Sequence, residues 1–366
     1  MWPVERSLKL LTVNLGSARR TDMDMTSVDI GVFAHNEAGR IGPMLESLFA
    51  QNIFTDPAQT PCLHILANGC RDATVAEART VVAAHNMTNV VQIHDLPNGG
   101  KSRTWNRFVH DLSRPEAEML VFMDADIHVP APNMLRELID FIAARSDLAG
   151  ASSNAVKDIT HDPKLARGGL DKLIGAAGGT LNNWKGSICG QLYVLRTETA
   201  RSFHMPIGLP VEDGFVRAMV QTRNFSTEGQ PETRLDGRDD LFHVYESERG
   251  IGALIRHQTR IVIGSAINAV IYDRLRNEPL EDRSRDLARS AQDPTWLPDL
   301  LRRKLPNRYG YVPVQFLTKR LGFWAKSSDR LKPKRLLVTG AGFAFDAVVY
   351  IRAQYAMWRG VGAGYW

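Results

Sequence analysis

The alternation of short apolar runs with amphipathic helical patterns is the feature that most constrains how this chain folds. Four apolar runs, at residues 28–35, 62–68, 89–96 and 118–126, are each followed by a stretch with apolar residues at helical spacing. Repeated strand–helix units predict an α/β domain with a mostly parallel, doubly wound sheet. In such sheets, ligands bind beyond the carboxyl ends of the strands.

Polar segments follow all four predicted strands, so we expect them to line one crevice. They read AHNEAGR, ANGCRDAT, DLPNGGKSR and DADIH. Within the first two, Asn36 and Glu37 could contact a ligand or simply form a turn. Asp72 could accept a hydrogen bond from a ligand, or cap the helix that follows. Asn68 lies at the end of the second strand.

The third and fourth segments carry charges suited to a diphosphate. Lys101 and Arg103 could balance phosphate charge, or be ordinary surface charges at a helix start. Asp124 and Asp126 are two residues apart, so in an extended chain they project to the same side. Two adjacent carboxylates repel, and a hard divalent cation removes that cost while also accepting phosphate oxygens. The pair therefore predicts Mn²⁺ or Mg²⁺ held against a diphosphate.

Six segments together resemble the inverting glycosyltransferases of family 2, which have the GT-A nucleotide-sugar fold. The similar segments are VFAHNEAGRI, ANGCRDAT, NGGKSRTWN, DADI, ICGQLYVLR and PVEDGF. They occur in the family's order over roughly residues 28–258, and their combination is far more specific than any one of them. The resemblance implies that Asn36 and Glu37 contact the donor ribose, and that Asp72, with Asn68 at the same strand end, lies at the base. One departure is Asn68, which stands where many relatives have aspartate, so the base contact is expected to differ.

The resemblance implies roles for further residues. Asp213, in PVEDGF, would be the general base, with Glu212 as its neighbour; otherwise the pair would be helix-start charges. His243 would complete the metal shell, or be a core histidine. Trp184 and Gly190 would line the acceptor site, although Trp184 could equally be a core residue.

The segment RHQTRI, at residues 256–261, occupies the place of the family's Gln-x-x-Arg-Trp motif but matches it only in part. That motif accompanies processive polysaccharide synthases. Because the motif is incomplete here, we expect the transfer of a single sugar. Arg260 could still reach the donor diphosphate.

The resemblance therefore implies a metal-dependent enzyme that moves one sugar, a hexose in most of the family, from a nucleoside-diphosphate donor to an acceptor hydroxyl. UDP is the favoured nucleotide, and polysaccharide or glycoconjugate biosynthesis the expected context. A sugar-phosphate nucleotidyltransferase is one alternative, but AHNEAGR lacks that class's Gly-rich opening loop. A non-catalytic nucleotide- or partner-binding protein is the other alternative.

Charge divides the chain unevenly. The net charge is +5, yet residues 301–335 contain eleven Lys or Arg and one acid, Asp329, so the rest is net acidic. Aromatic residues, among them Tyr309 and Trp324, are interleaved with these cations. Such a segment suits an anionic membrane surface or a lipid-linked acceptor, or is a solvated basic face. We expect no nucleic-acid partner.

Three regions follow from these patterns: an N-terminal extension (1–27), a catalytic GT-A domain (28–250) and a helical, basic C-terminal region (251–366). Residues 336–351 are apolar but interrupted by Asp346, which predicts a packed or surface-lying helix rather than a membrane span. Three cysteines without a paired spacing indicate a reducing compartment. We therefore expect a cytoplasmic protein, peripheral at the inner face of the membrane if the basic segment binds lipid.

Overall fold

The computed structural model describes residues 26–55, 61–166, 184–227, 234–308, 310–328 and 331–360. Most of the predicted N-terminal extension, together with Tyr309 and Asp329, lies outside these ranges.

A seven-stranded sheet forms the centre of the catalytic region. Its strands are β1 (Val28–Ala34), β2 (Cys62–Asn68), β3 (Val91–Leu96), β4 (Met119–Asp124), β6 (Gly150–Ser152), β8 (Leu192–Arg196) and β9 (Leu235–Asp236). The order is β3-β2-β1-β4-β8-β6-β9. The four strands predicted from sequence are parallel neighbours, which confirms the mostly parallel α/β fold. Strand β8 runs antiparallel to both β4 and β6.

A second sheet of three short strands lies beside the first. It has the order β5-β10-β7, formed by β5 (Ile127–His128), β7 (Asn154–Lys157) and β10 (Phe242–Tyr245). Strand β5 follows β4 after only two residues, Ala125 and Asp126, so the chain turns between the two aspartates of DADIH.

Helices cover both faces of the large sheet. In chain order they are α1 (Ile41–Phe49), α2 (Thr74–Ala84), α3 (Lys101–Asn106), α4 (Met134–Ala143), α5 (Asp158–His161), α6 (Thr197–Arg201) and α7 (Glu212–Thr222). A π-helical segment, Arg107–Leu112, continues α3. The apolar sides of α1, α2 and α4 join one face of the sheet in a single buried cluster.

The C-terminal region is helical, as predicted. It consists of α8 (Ile251–Asn277), α9 (Leu280–Ser290), α10 (Trp296–Lys304), α11 (Gln315–Lys326) and α12 (Pro333–Trp358). Buried residues of α8 and α12, such as Ile267 and Val349, share one apolar cluster with the sheet residues Phe33 and Phe122. The region thus packs directly on the catalytic core.

A buried polar cluster holds the amino ends of the strands. Both Asp29 carboxylate oxygens accept from Arg114, from Nε at 2.7 Å and from the backbone N–H at 2.6 Å. His64 Nε2 lies 3.3 Å from Asp29, and His64 Nδ1 lies 3.1 Å from His94. Burial opposes a charged His64, but the bond to Asp29 outweighs it and raises the pKa of His64 to about 9.

This cluster predicts a pH dependence of stability. Because the pKa of His64 is raised on folding, its stabilisation is complete below about pH 6.5 and disappears as the pH rises through about 9. The wild type should lose up to about 3 kcal/mol of unfolding free energy over that window. His64→Gln should flatten the loss in urea titrations at pH 6 and pH 9.5. An unchanged pH slope in His64→Gln would show that His64 is not charged in the folded state.

Candidate active site

The loops after β1 and β2 are bonded to each other at the carboxyl edge of the sheet. Asn36 Oδ1 accepts from the Arg71 N–H at 2.8 Å. Asp72 accepts from the N–H groups of Ala38 at 3.0 Å and Thr74 at 3.1 Å. Burial opposes ionisation of Asp72 slightly, but the bonds from Thr74 and Ala38 lower its pKa. Asp72 therefore joins both loops to the start of α2, and its predicted base contact remains a prediction.

The loops after β2 and β3 approach each other closely enough to require glycine. Gly69 has a φ of +61°, and a Cβ there would lie 2.9 Å from the Gly99 Cα. Beside it, Asn68 is 4% exposed, and its side-chain Oδ1 has no hydrogen-bond partner among the described residues. A buried, unsatisfied amide oxygen at the predicted base position can accept a donor from a ligand.

Lys101 is the centre of the site. Its Nζ lies 2.6 Å from Asp124 Oδ1 and 3.0 Å from Glu212 Oε1, and it donates to the Gly190 carbonyl at 3.1 Å. It thus connects α3, β4, α7 and the loop before β8. Burial opposes the charged ammonium, but Asp124 and Glu212 outweigh it and raise the pKa of Lys101.

The anchoring of α3 explains why Lys101 is well positioned. Asn106 Nδ2 donates to the Met205 carbonyl at 2.7 Å, and Asn106 Oδ1 accepts from the Met205 N–H at 2.8 Å. Trp105 stacks on Phe122 and donates to the Tyr193 hydroxyl at 3.0 Å. These buried contacts fix the helix to the sheet immediately below the site.

Asp124 and Asp126 face different surroundings because the chain turns between them. Asp124 is partly buried, and burial raises its pKa to about 7; Lys101 lowers it, while Asp126 and Glu212 raise it. Asp126 is exposed and makes no hydrogen bond or ion pair with any described residue. Burial, together with the charge of Asp126, raises the pKa of Glu37. Asp126 therefore lies within electrostatic range of both Glu37 and Asp124.

Glu212 and Asp213 begin α7, as the sequence predicted, and the structure brings them to the same crevice. Burial and the neighbouring Glu212 carboxylate raise the pKa of Asp213 to about 6. The Gly214 N–H, Lys101 and Arg260 oppose this shift, so Arg260 of α8 lies within electrostatic range of Asp213. A Cβ at Gly190 would lie 3.2 Å from the Asp213 Cβ, so only glycine leaves this approach free.

Helix α8 holds the start of α7 in place, which sequence reasoning did not identify. Asn268 Nδ2 donates to the Val211 carbonyl at 3.0 Å, and the Tyr272 hydroxyl donates to the Gly214 carbonyl at 2.7 Å. Val211 packs against Gly264 so closely that any Cβ there would collide with its side chain. No spacing in the sequence indicates these contacts, because they join segments about 50 residues apart.

Three other predicted site residues are His243, Trp184 and Arg103. His243 is fully buried, with Nδ1 2.9 Å from Ser153 Oγ and Nε2 3.2 Å from Gln191 Oε1. Burial lowers the pKa of His243 to about 3, which keeps the ring neutral. The Trp184 ring packs against Gly237. Arg103 lines a cavity of about 160 Å³ beside α3.

One further group, of Asp29, Cys62 and His64, has potential ligand atoms within 4.8 Å of one another. It lies at the amino ends of β1 and β2, away from the crevice. Both carboxylate oxygens of Asp29 already accept hydrogen bonds from Arg114, so neither is available to an ion. We therefore treat this group as structural, and the crevice as the place where a metal fits.

Comparisons with known proteins support the fold. The family model described as glycosyl transferase family 2 matches residues 29–195. The chain is similar to a solved mannosyltransferase, PcManGT from Pyrobaculum calidifontis in complex with GDP-Man and Mn²⁺, with a TM-score of 0.54 at 15% identity over 90% of this chain and 88% of that chain. A search of curated protein sequences gives no match.

Two other solved structures align less well. Glucosyl-3-phosphoglycerate synthase from Mycobacterium tuberculosis, with Mn²⁺, UDP-Glc and phosphoglyceric acid, has a TM-score of 0.43 at 17% identity over 66% of this chain and 78% of that chain. S. aureus TarS (residues 1–349) with UDP has a TM-score of 0.45 at 15% identity over 91% and 92%.

The similarity to the solved mannosyltransferase shows the GT-A fold that the resemblance implied. The family model matches residues 29–195 and agrees with the family that the six motifs indicated.

Gly264 provides a test of the contact between α8 and α7. In Gly264→Ala the new methyl group collides with Val211, and we expect a loss of about 1–3 kcal/mol in unfolding free energy together with reduced transferase activity. Gly252→Ala, on the same helix, is the matched control, because the nearest atom to its Cβ is an Arg256 side-chain nitrogen at 3.7 Å. Equal denaturation curves and activities for the two variants would refute the close contact.

Proposed function

We propose that this enzyme transfers one sugar, with inversion, from a nucleoside-diphosphate sugar to an acceptor hydroxyl. The observation that carries the proposal is the crevice itself, where Lys101 binds Asp124 and Glu212. Asp126 and Asp213 lie within electrostatic range of this group. Four carboxylates face the Lys101 ammonium and the more distant Arg260 guanidinium, which leaves an excess of negative charge that a divalent cation would neutralise. UDP is the favoured nucleotide, and polysaccharide or glycoconjugate biosynthesis the favoured context.

Asp124 and Asp126 are the residues we propose to hold Mn²⁺ or Mg²⁺. Both are oxygen ligands, and Asp126 is without a protein partner among the described residues, which suits a hard cation. When bound, such an ion neutralises the charge that develops on the departing diphosphate. The mannosyltransferase neighbour, solved with GDP-Man and Mn²⁺, supports the same chemistry.

His243 remains a proposed third ligand. Its Nε2 lies 3.2 Å from the Gln191 side-chain oxygen, and the Gln191 carbonyl accepts from the Asp124 N–H at 2.9 Å. A neutral imidazole is the form of histidine that can ligate a metal.

The donor would lie across the loops after β1, β2 and β3. Asn68, through its unsatisfied Oδ1, is our proposed acceptor for a base N–H, with Asp72 supporting that loop. Other donor contacts and the acceptor contacts rest on the family resemblance. The proposed donor residues are Asn36, Glu37, Lys101, Arg103 and Arg260, and the proposed acceptor residues are Trp184 and Gly190.

Asp213 is the proposed general base. The acceptor oxygen attacks the anomeric carbon from the face opposite the diphosphate, and Asp213 takes the hydroxyl proton as the new C–O bond forms. The bond to the leaving oxygen breaks, and its electron pair departs on the nucleoside diphosphate. A pKa raised towards 6 by burial and Glu212 makes Asp213 a stronger base than an ordinary carboxylate.

We also propose that the enzyme transfers a single sugar to each acceptor and that it acts in the cytoplasm. A sugar-phosphate nucleotidyltransferase would form a sugar nucleotide rather than consume one, so the direction of nucleotide release separates the two classes. A non-catalytic binding protein would bind a nucleotide without turnover.

Metal-dependent nucleotide binding is the first expectation. Titration calorimetry with UDP, GDP, dTDP and CDP should show one preferred nucleotide with Mn²⁺, and much weaker binding in EDTA. The Asp124→Ala/Asp126→Ala variant should abolish the metal dependence. Asp158→Ala/Asp162→Ala, which removes the same charge outside the crevice, is the control. Binding that is indifferent to EDTA would contradict the metal role.

Asp213→Asn should lower kcat by about 10²–10⁴-fold while nucleotide affinity is retained, because only the proton acceptor is lost. Since a base must be ionised, wild-type kcat should fall as the pH drops through about 6. The variant's residual activity should lack this acidic limb. Steady-state release of nucleoside diphosphate measures both. Unaltered turnover in Asp213→Asn would exclude Asp213 as the base.

A further inference from the structure

Helices α11 and α12 present an apolar surface that nothing in the described structure covers. Along α12 the exposed residues follow a regular three-and-four spacing: Leu337, Ala341, Ala344, Val348, Ile351, Tyr355 and Trp358. Several are largely exposed, with Leu337 at 75%, Ile351 at 66% and Trp358 at 62%. A contiguous exposed stripe of this length marks an interaction site rather than ordinary surface.

The opposite side of α12 is fixed to the protein. Asp346, Val349, Ala353 and Met357 are buried. Arg320 of α11 binds Asp346 through two hydrogen bonds, of 2.7 Å and 3.1 Å. The Gln354 side-chain oxygen also accepts from the Tyr311 N–H at 2.8 Å. The apolar stripe is therefore held outward on a firmly packed helix.

Further apolar residues outside the stripe are exposed where α11 meets α12. Phe323 is 74% exposed, Leu331 75%, Leu336 45% and Val338 55%. Because residues 331–338 are all exposed, the first two turns of α12 are open on every side. If a second copy of α12 paired along the stripe, these residues would remain exposed. A surface that contacted both α11 and the start of α12 would cover them.

Cations surround this apolar surface. Lys319, Lys326, Lys334 and Arg335 are exposed, and none has a carboxylate within 4 Å among the described residues. Pairing two copies of the chain here would bring like charges together. An anionic bilayer instead offers both an apolar interior for the stripe and negative headgroups for the lysines.

We propose that the face formed by α11 and α12 docks the enzyme on an anionic membrane, with α12 lying in the interface. By length and composition α12 could also cross a bilayer, and only 11% of its most apolar window is buried. Its packed side and the internal Arg320–Asp346 pair favour lying flat. The proposal does not depend on the proposed chemistry, since binding is measured without any donor.

The position of α12 has a consequence for the acceptor. Helix α12 packs along α8, and α8 holds Val211 and Gly214 on either side of Glu212 and Asp213. The proposed membrane face and the proposed base are therefore joined by one rigid helix. This arrangement favours a membrane-borne, lipid-linked acceptor presented at a constant height above the bilayer.

Vesicle sedimentation of the full chain tests the docking proposal. We expect binding to 70:30 phosphatidylcholine:phosphatidylglycerol vesicles in 50 mM NaCl, and little binding to pure phosphatidylcholine. Lys326→Gln/Lys334→Gln/Arg335→Gln should weaken partitioning by about 100-fold, since each basic residue near an anionic surface contributes roughly a fivefold factor. Arg79→Gln/Arg285→Gln/Arg289→Gln removes the same charge elsewhere and should bind almost like the wild type.

The apolar contribution is tested separately. Ile351→Ser/Trp358→Ser should reduce partitioning at least tenfold, whereas Ile251→Ser/Leu280→Ser, at exposed apolar sites outside the face, should not. Washing bound vesicles at high salt and alkaline pH should release the protein if α12 lies flat. Retention until detergent is added would overturn that orientation in favour of a span.

Two further outcomes would overturn the proposal as a whole. One is failure of the wild type to bind anionic vesicles at low salt. The other is a dimer in analytical ultracentrifugation that Ile351→Ser/Trp358→Ser dissociates, which would assign the stripe to a second copy. Nucleotide calorimetry on the same preparations keeps this result separate from the proposed transferase chemistry.

Discussion

The ammonium group of Lys101 is the contact on which the rest of the crevice depends. It lies within 3.0 Å of carboxylate oxygens from β4 and α7, and it also binds the Gly190 carbonyl. Without it, Asp124 and Glu212 would face each other uncompensated in a partly buried site. With it, one ammonium is shared between two carboxylates, and the remaining excess of acids is the basis of the proposed metal site.

The scaffold around this charge is rigid for a simple reason. Parallel strands bring four loops to one edge, and the two closest loops meet through glycines at 69 and 99. On the other side, α8 fixes the start of α7 through Asn268 and Tyr272. The same helix supports α12, so the C-terminal region is part of the architecture of the site rather than an appendage.

Much of this could be read from the sequence because it depends on local patterns. Strand–helix alternation predicted the sheet, and the segments from AHNEAGR to DADIH predicted which loops converge. The Glu-Asp pair at the start of α7 was also visible. The turn between Asp124 and Asp126 was not, since simple alternation places both side chains on the same face. Nor could spacing show that His243 is bonded at both ring nitrogens.

The sequence by itself determined the resemblance to family 2, the order of the loops along the chain and the identity of the acidic residues, because these follow from short-range pattern and residue chemistry. The tertiary structure decided which charges compensate each other. It brought Lys101 to Asp124 and Glu212, placed Asp213 in a partly buried position and set the outward face of α12. Burial and charge pairing depend on segments far apart in the chain, and these meet only when the sheet and helices pack.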